Sequence, residues 1–162
     1  MMFKTHKIFV ILLCLVIFLN PINLLGYFGF SGDIFTFSFL SFLIIAVLAS
    51  MIPDIDNPSS KIGKKVKIVG VMFKHRGFFH SLPALVIFTY LIHVFFSTAT
   101  TFAFFTGYFS HLLLDNLNYQ GVYWLYPLTW RIKGFTNSNS TFEKIFFYLN
   151  VLIILIILLK AI

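Results

Sequence analysis

The chain has 162 residues, 59% of them hydrophobic and only 10% charged, with 23 phenylalanines and a net charge of +7. An ordinary soluble domain carries about 25% charged residues, so the composition excludes one, along with disordered, collagen-like and disulfide-scaffold chains, and leaves an integral membrane protein. Twelve Lys and Arg against five acids would point to nucleic acid in a soluble protein; in a membrane chain the excess reflects orientation and contact with anionic lipid, and no nucleic-acid partner is expected. Cys14 is the single cysteine, so internal disulfides and Cys-x-x-Cys thiolate sites are excluded and any metal must use His and carboxylate.

Lys4 and Lys7 precede an unbroken apolar run from Ile8 to Leu19. No small residues mark a cleavage site, and Cys14 lacks the small residue before it that a lipoprotein signal needs. The run therefore reads as an uncleaved first span continuing through Asn20, Pro21, Ile22 and Asn23. Ile34 to Ile52 is 19 residues without a charge, about 28 Å of helix against a hydrocarbon core of roughly 30 Å. Leu82 to Leu114 runs 33 residues without Asp, Glu, Lys or Arg, about 50 Å if helical. That is too long for one crossing, so a hairpin of two spans turning at Ser97 to Thr101 is expected. Ile145 to Leu159, 15 residues mainly of Leu, Ile and Val, needs its flanks to complete a fifth. The expected architecture is an all-α, polytopic membrane helical bundle of about five transmembrane helices. Without internal repeats or low-complexity linkers, residues 1–162 read as a single domain.

Cationic loops near span ends stay in the cytoplasm. Eleven of the twelve cations fall before span one, between spans two and three, or between spans four and five, with Lys160 the exception. The N-terminus is thus expected inside and the C-terminus outside. Within the large inner loop, Ile62, Val66, Val69 and Phe73 share one helical stripe with Lys61, Lys64 and Lys65 off it. That pattern describes a basic amphipathic helix on the lipid headgroups, interrupted by Gly63 and Gly70; a plain solvated loop is the alternative.

The acids are scarce and their placement is informative. Asp54 and Asp56 follow span two, Asp115 ends span four and Glu143 precedes span five; His6, His75, His80 and His111 also fall at cytoplasmic span ends. Orientation, read from Lys and Arg alone, thus gathers eight candidate ligands at one end of the bundle. His111 and Asp115, four apart, share one helix face, a workable spacing for two ligands of one metal or for a structural pair. Gly107, one turn earlier, allows a neighbouring helix or a substrate to approach closely. In Pro53-Asp54-Ile55-Asp56-Asn57-Pro58 the two prolines set both carboxylates on a short rigid turn. His75-Arg76-Gly77-Phe78-Phe79-His80-Ser81 brings two imidazoles and a guanidinium before span three, where Ser81 caps a helix that tolerates Pro83. Imidazole donors favour zinc, manganese or iron over magnesium and calcium, and Arg76 suits a bidentate grip on phosphate or, equally, anchors the cytoplasmic side. His93 lies about 18 Å into its span and is assigned to packing. Tyr119, Tyr123, Trp124, Tyr126 and Trp130 have the character of a membrane-water boundary and suit anchoring, or a lip over the site.

These residues together resemble the LexA-regulated, inner-membrane, metal-dependent hydrolase family (YdjM-like). The likeness runs from His6 to Glu143 through Thr5-His6, Pro53 to Pro58, His75-Arg76-Gly77, His80-Ser81, Gly107-Tyr108, Ser110-His111, Asp115, Gly121-Val122, Pro127 and Glu143. It implies a small bacterial inner-membrane hydrolase that uses divalent metal, with these His and Asp positions as ligands. Phe79 departs from the pattern, since the family commonly has Thr before the second His. The His-x-x-x-Asp element is also similar to that of zinc-dependent phospholipase C enzymes.

The expected function is hydrolysis of a phosphoester or ester in a lipid or lipid-linked substrate, at a cytoplasmic mouth where His6, Asp54, Asp56, His75, His80, His111 and Asp115 hold zinc, or manganese, in one or two ions. Such an ion lowers the pKa of water from roughly 15.7 to about 7. Arg76 would neutralise charge growing on substrate oxygens, and Glu143 would orient a ligand His or act as general acid. Membrane lipids are the expected partners. The rivals are a structural metal staple and a cation transporter; a transporter should carry ionisable groups through its midplane, where this chain offers His93.

Overall fold

The computed structural model describes residues 3–19, 37–58, 60, 63–66, 68, 72 and 75–161. Among these residues the protein is all-helical. Five helices, α1 (Phe3–Leu19), α2 (Phe37–Ala49), α3 (Leu82–Phe95), α4 (Thr98–Asn116) and α5 (Thr141–Ala161), are joined by irregular segments that include two 3₁₀ turns, Pro53–Asp56 and Phe78–His80. Two stretches, Ser38–Asp56 and Thr141–Lys160, are long and apolar enough to cross a membrane, while Leu82–Phe95 is apolar but shorter. The loop at 20–33 and most of the interfacial helix expected over 61–74 lie outside the described residues; Lys64 and Lys65 are exposed in a turn.

Helix boundaries follow local chemistry. α2 gives way to the 3₁₀ turn where Pro53 removes a backbone donor. The Ser81 hydroxyl accepts the Ala84 N–H at 3.4 Å and starts α3 with Pro83 in its first turn, as the sequence predicts. The hairpin turns earlier than Ser97–Thr101: Ser97 accepts the Thr100 N–H at 3.3 Å, so α4 already begins at Thr98. α5 has 21 residues, and the flanks of the short apolar run complete its length.

α4 is the centre of the bundle and packs against α1, α2 and α3, with α5 against α1. One core cluster joins Val10, Cys14 and Phe18 of α1 to Phe42 and Ala46 of α2 and Ala103 of α4. A second joins Ala49, Leu85, Phe104, Tyr108 and Leu112 and lies nearer the polar end. Gly107 marks a close approach of α4 to α2, for a Cβ there would overlap the Ala46 backbone. Backbone cannot retreat as a flexible side chain can. Gly107→Ala is therefore expected to destabilise the fold by about 1–3 kcal/mol, seen as a lower thermal midpoint in detergent.

The chain between α4 and α5 folds back over the polar end. Isolated bridges pair Asn118 with Thr136 and Val122 with Ile132, held by Tyr119 N–H to Thr136 O at 2.7 Å and Val122 N–H to Ile132 O at 3.0 Å. Gly121 has a left-handed φ of +64°, and a side chain there would strike the Ile132 carbonyl. Trp124 fastens this segment to the helices: its indole N–H reaches Asn116 at 3.0 Å, and its carbonyl accepts the Leu82 N–H at 2.9 Å.

Candidate metal centre

His111 lies on α4 one turn beyond Gly107, and the close α2–α4 approach brings it to the end of α2. Its Nδ1 is 2.7 Å from the Ser50 carbonyl. A carbonyl only accepts, so Nδ1 carries the proton and the Nε2 lone pair is free. His80, at the end of its 3₁₀ turn, is arranged the same way by a carboxylate: Nδ1 lies 3.3 Å from Asp56 Oδ2. Both Nε2 atoms are buried without a hydrogen-bond partner. They face the same two carboxylates. His80 Nε2 is 3.9 Å from Asp54 Oδ1 and 3.5 Å from Asp115 Oδ2; His111 Nε2 is 3.9 Å and 3.8 Å from those atoms. Donors about 2.1 Å from a tetrahedral ion stand about 3.4 Å from one another, so these separations fit a shared divalent cation.

Among the described residues, three groupings of ligand atoms lie within 4.8 Å of one another: His6, His111 and Asp115; Asp54, His80 and His111; and Asp56, His75 and His80. The first adds His6 from α1, whose ring stacks on His111 at 4.1 Å and 13° and whose Nε2 is 3.4 Å from Asp115 Oδ1. The third has a different character. Asp56 is wholly buried, and both its oxygens are engaged: Oδ1 by His75 Nδ1 at 2.8 Å, Oδ2 by His80 Nδ1 and by the Arg76 backbone N–H at 3.1 Å. It is the hub that fixes the 75–80 segment to the Pro53–Asp56 turn.

Arg76 adopts an unusual left-handed φ of 63°, which aims its own N–H at Asp56. Its guanidinium is 3.3 Å from Asp115 Oδ2 and donates to the Gly121 carbonyl at 3.4 Å. The charge expected to meet substrate is thus already paired within the site. A pocket of about 370 Å³ opens onto the cluster, lined by His6, Asp54, His75, Arg76 and Asp115 together with Phe3, Asn57, Ser60, Gln120 and Ser138.

Glu143 stands differently from the other eight sequence-predicted residues. It is wholly buried in the first turn of α5, where its Oε2 accepts the Asn139 N–H at 2.6 Å while its own N–H reaches the Ser140 hydroxyl at 3.2 Å. Ser140 and Glu143 have the spacing of a capping box. The Phe79 ring stacks on Phe88 at 5.9 Å, and its carbonyl accepts the Tyr108 hydroxyl at 2.6 Å.

A protein-family profile described as YdjM inner membrane protein matches residues 1–161. The chain is 36% identical over 98 residues to "Inner membrane protein YdjM" of Escherichia coli (strain K12), covering 54% of this chain and 50% of that protein. The Shigella flexneri protein of the same name matches with the same identity and coverage. "Uncharacterized protein YvsG" of Bacillus subtilis (strain 168) is 34% identical over 91 residues, covering 53% of this chain and 57% of the relative. The chain thus spans about half the length of the curated relatives it matches, and no solved structure matches it. On the near full-length match, the chain belongs to the YdjM inner membrane protein family.

Proposed function

We propose that this protein is a membrane-bound, metal-dependent hydrolase of the inner membrane, acting on a phosphoester or ester of a lipid or lipid-linked substrate. The observation that carries this reading is the pair of unpartnered, buried Nε2 atoms of His80 and His111 aimed at Asp54 and Asp115. Those four residues would hold the ion, zinc or manganese, with His6 beside them. When bound, the ion supplies Lewis acidity toward an ester or phosphoryl oxygen and acidifies water to about neutral pH. Asp56 and the Ser50 carbonyl keep His80 and His111 in the tautomer that presents Nε2. Arg76 offsets the charge of Asp115 at the pocket wall. Asn57, Ser60, Gln120 and Ser138 offer polar contacts to a headgroup. A pocket open to ligand favours catalysis over a closed structural staple.

Assayed in detergent with zinc or manganese, the protein is expected to hydrolyse a generic phosphodiester or carboxylic ester, and Asp54→Ala to lose that turnover. Full metal occupancy with no hydrolysis of either substrate would support a staple instead. The reading includes five spans, with the N-terminus cytoplasmic and the C-terminus outside. A reporter fused after Ile162 should then be active only outside the cytoplasm; the reverse result would discard the five-span topology.

A further inference from the structure

We propose that the recess between the start of α1 and the start of α5 binds the headgroup of an anionic membrane phospholipid, independently of the metal centre. Lys4 of α1 and Lys144 of α5 line a cavity of about 240 Å³ walled by Phe147 and Tyr148. Both lysines are exposed, and among the described residues neither has a carboxylate within ion-pair distance. Their acidic neighbour Glu143 is buried, with Oε2 on the Asn139 N–H. Orientation alone requires each lysine only to reach water, and two cationic side chains lining one recess repel each other. A phosphodiester between them removes that repulsion and is met by both charges.

The surface leading from the recess is apolar. Tyr148, Leu152, Leu155 and Leu159 follow one another at helical spacing on α5 and are 52–75% exposed. From Tyr148 to Leu159 the helix rises about 16 Å, close to one leaflet of a hydrocarbon core roughly 30 Å thick. The occupant is therefore a lipid, with its phosphate at the lysines and an acyl chain along this stripe, rather than a free anion.

The test is lipid retention by full-length protein purified in detergent, offered phosphatidylglycerol and phosphatidylcholine and read by native mass spectrometry. Wild-type protein should prefer phosphatidylglycerol by about 25-fold, with about fivefold carried by each lysine. Lys4→Gln/Lys144→Gln should abolish most of this preference. Lys4→Arg/Lys144→Arg, which keeps the charge, and Lys64→Gln/Lys65→Gln, which neutralises the exposed turn, should both retain it. An unaltered preference in the Gln pair at α1 and α5, or equal loss in the turn variant, would overturn the site. Displacement of the lipid by inorganic phosphate at equal concentration would overturn the lipid as occupant.

Discussion

His111→Ala protein is expected to lose its divalent metal, its affinity falling by more than the roughly 10–100-fold typical of an outer-shell change. The imidazole presents the one nitrogen that faces both Asp54 and Asp115 from α4, at 3.9 and 3.8 Å. Alanine also removes the ring stacked on His6 and leaves the Ser50 carbonyl without its 2.7 Å donor. Asp54→Ala separates loss of a ligand from loss of packing, because Asp54 is part-exposed on the pocket wall and its removal opens no core cavity. Under the proposed function both variants lose metal and hydrolysis together, while the Asp54 variant keeps the thermal midpoint of metal-free wild-type protein. Metal content by elemental analysis, beside thermal unfolding, checks this; unchanged metal in both variants would remove the proposed centre.

Asp56→Asn is the second large effect, and it acts through its neighbours. Three N–H groups, from His75, His80 and the Arg76 backbone, converge on a carboxylate that accepts all of them. An amide of the same size offers one oxygen and turns an NH₂ toward remaining donors. At least one buried donor is left unsatisfied, at a cost of about 1–3 kcal/mol. The His80 ring also loses the partner that fixes its tautomer, so metal affinity should fall about 10–100-fold with the ligand set unchanged. Chelator competition measures that loss. Unaltered affinity in a folded Asp56→Asn protein would contradict the orienting role, and a changed ligand set would instead make Asp56 itself a ligand.

Much of the site was legible because charged and imidazole side chains are so rare in this chain that position alone carries information. Arg76 needed no partner to be noticed, and His111 with Asp115 was set by helical spacing. The separate roles of the two aspartates in the Pro53–Asp56 turn were not legible, since the Asp56 contacts depend on how residues 75–80 fold back. Gln120 and Ser138 reach the pocket only through the bridges that pair 118 with 136 and 122 with 132, and no sequence period encodes such isolated pairs. Ser50 contributes a backbone carbonyl, which any residue type would supply. Glu143 stood out by scarcity, and the Ser140-x-x-Glu143 spacing was the unused signal of a helix cap. In the fold, the apolar runs located the helices, while the hairpin turn shifted because Ser97 caps α4.

X-ray absorption at the zinc edge of the purified, zinc-loaded protein tests most directly whether side chains from distant parts of the chain share one ion. The expected result is a first shell of nitrogen and oxygen at about 2.0–2.2 Å, with the multiple scattering of at least two imidazoles and one imidazole fewer in His111→Ala. A sulfur-containing shell, or an imidazole count that His111→Ala does not change, would contradict it.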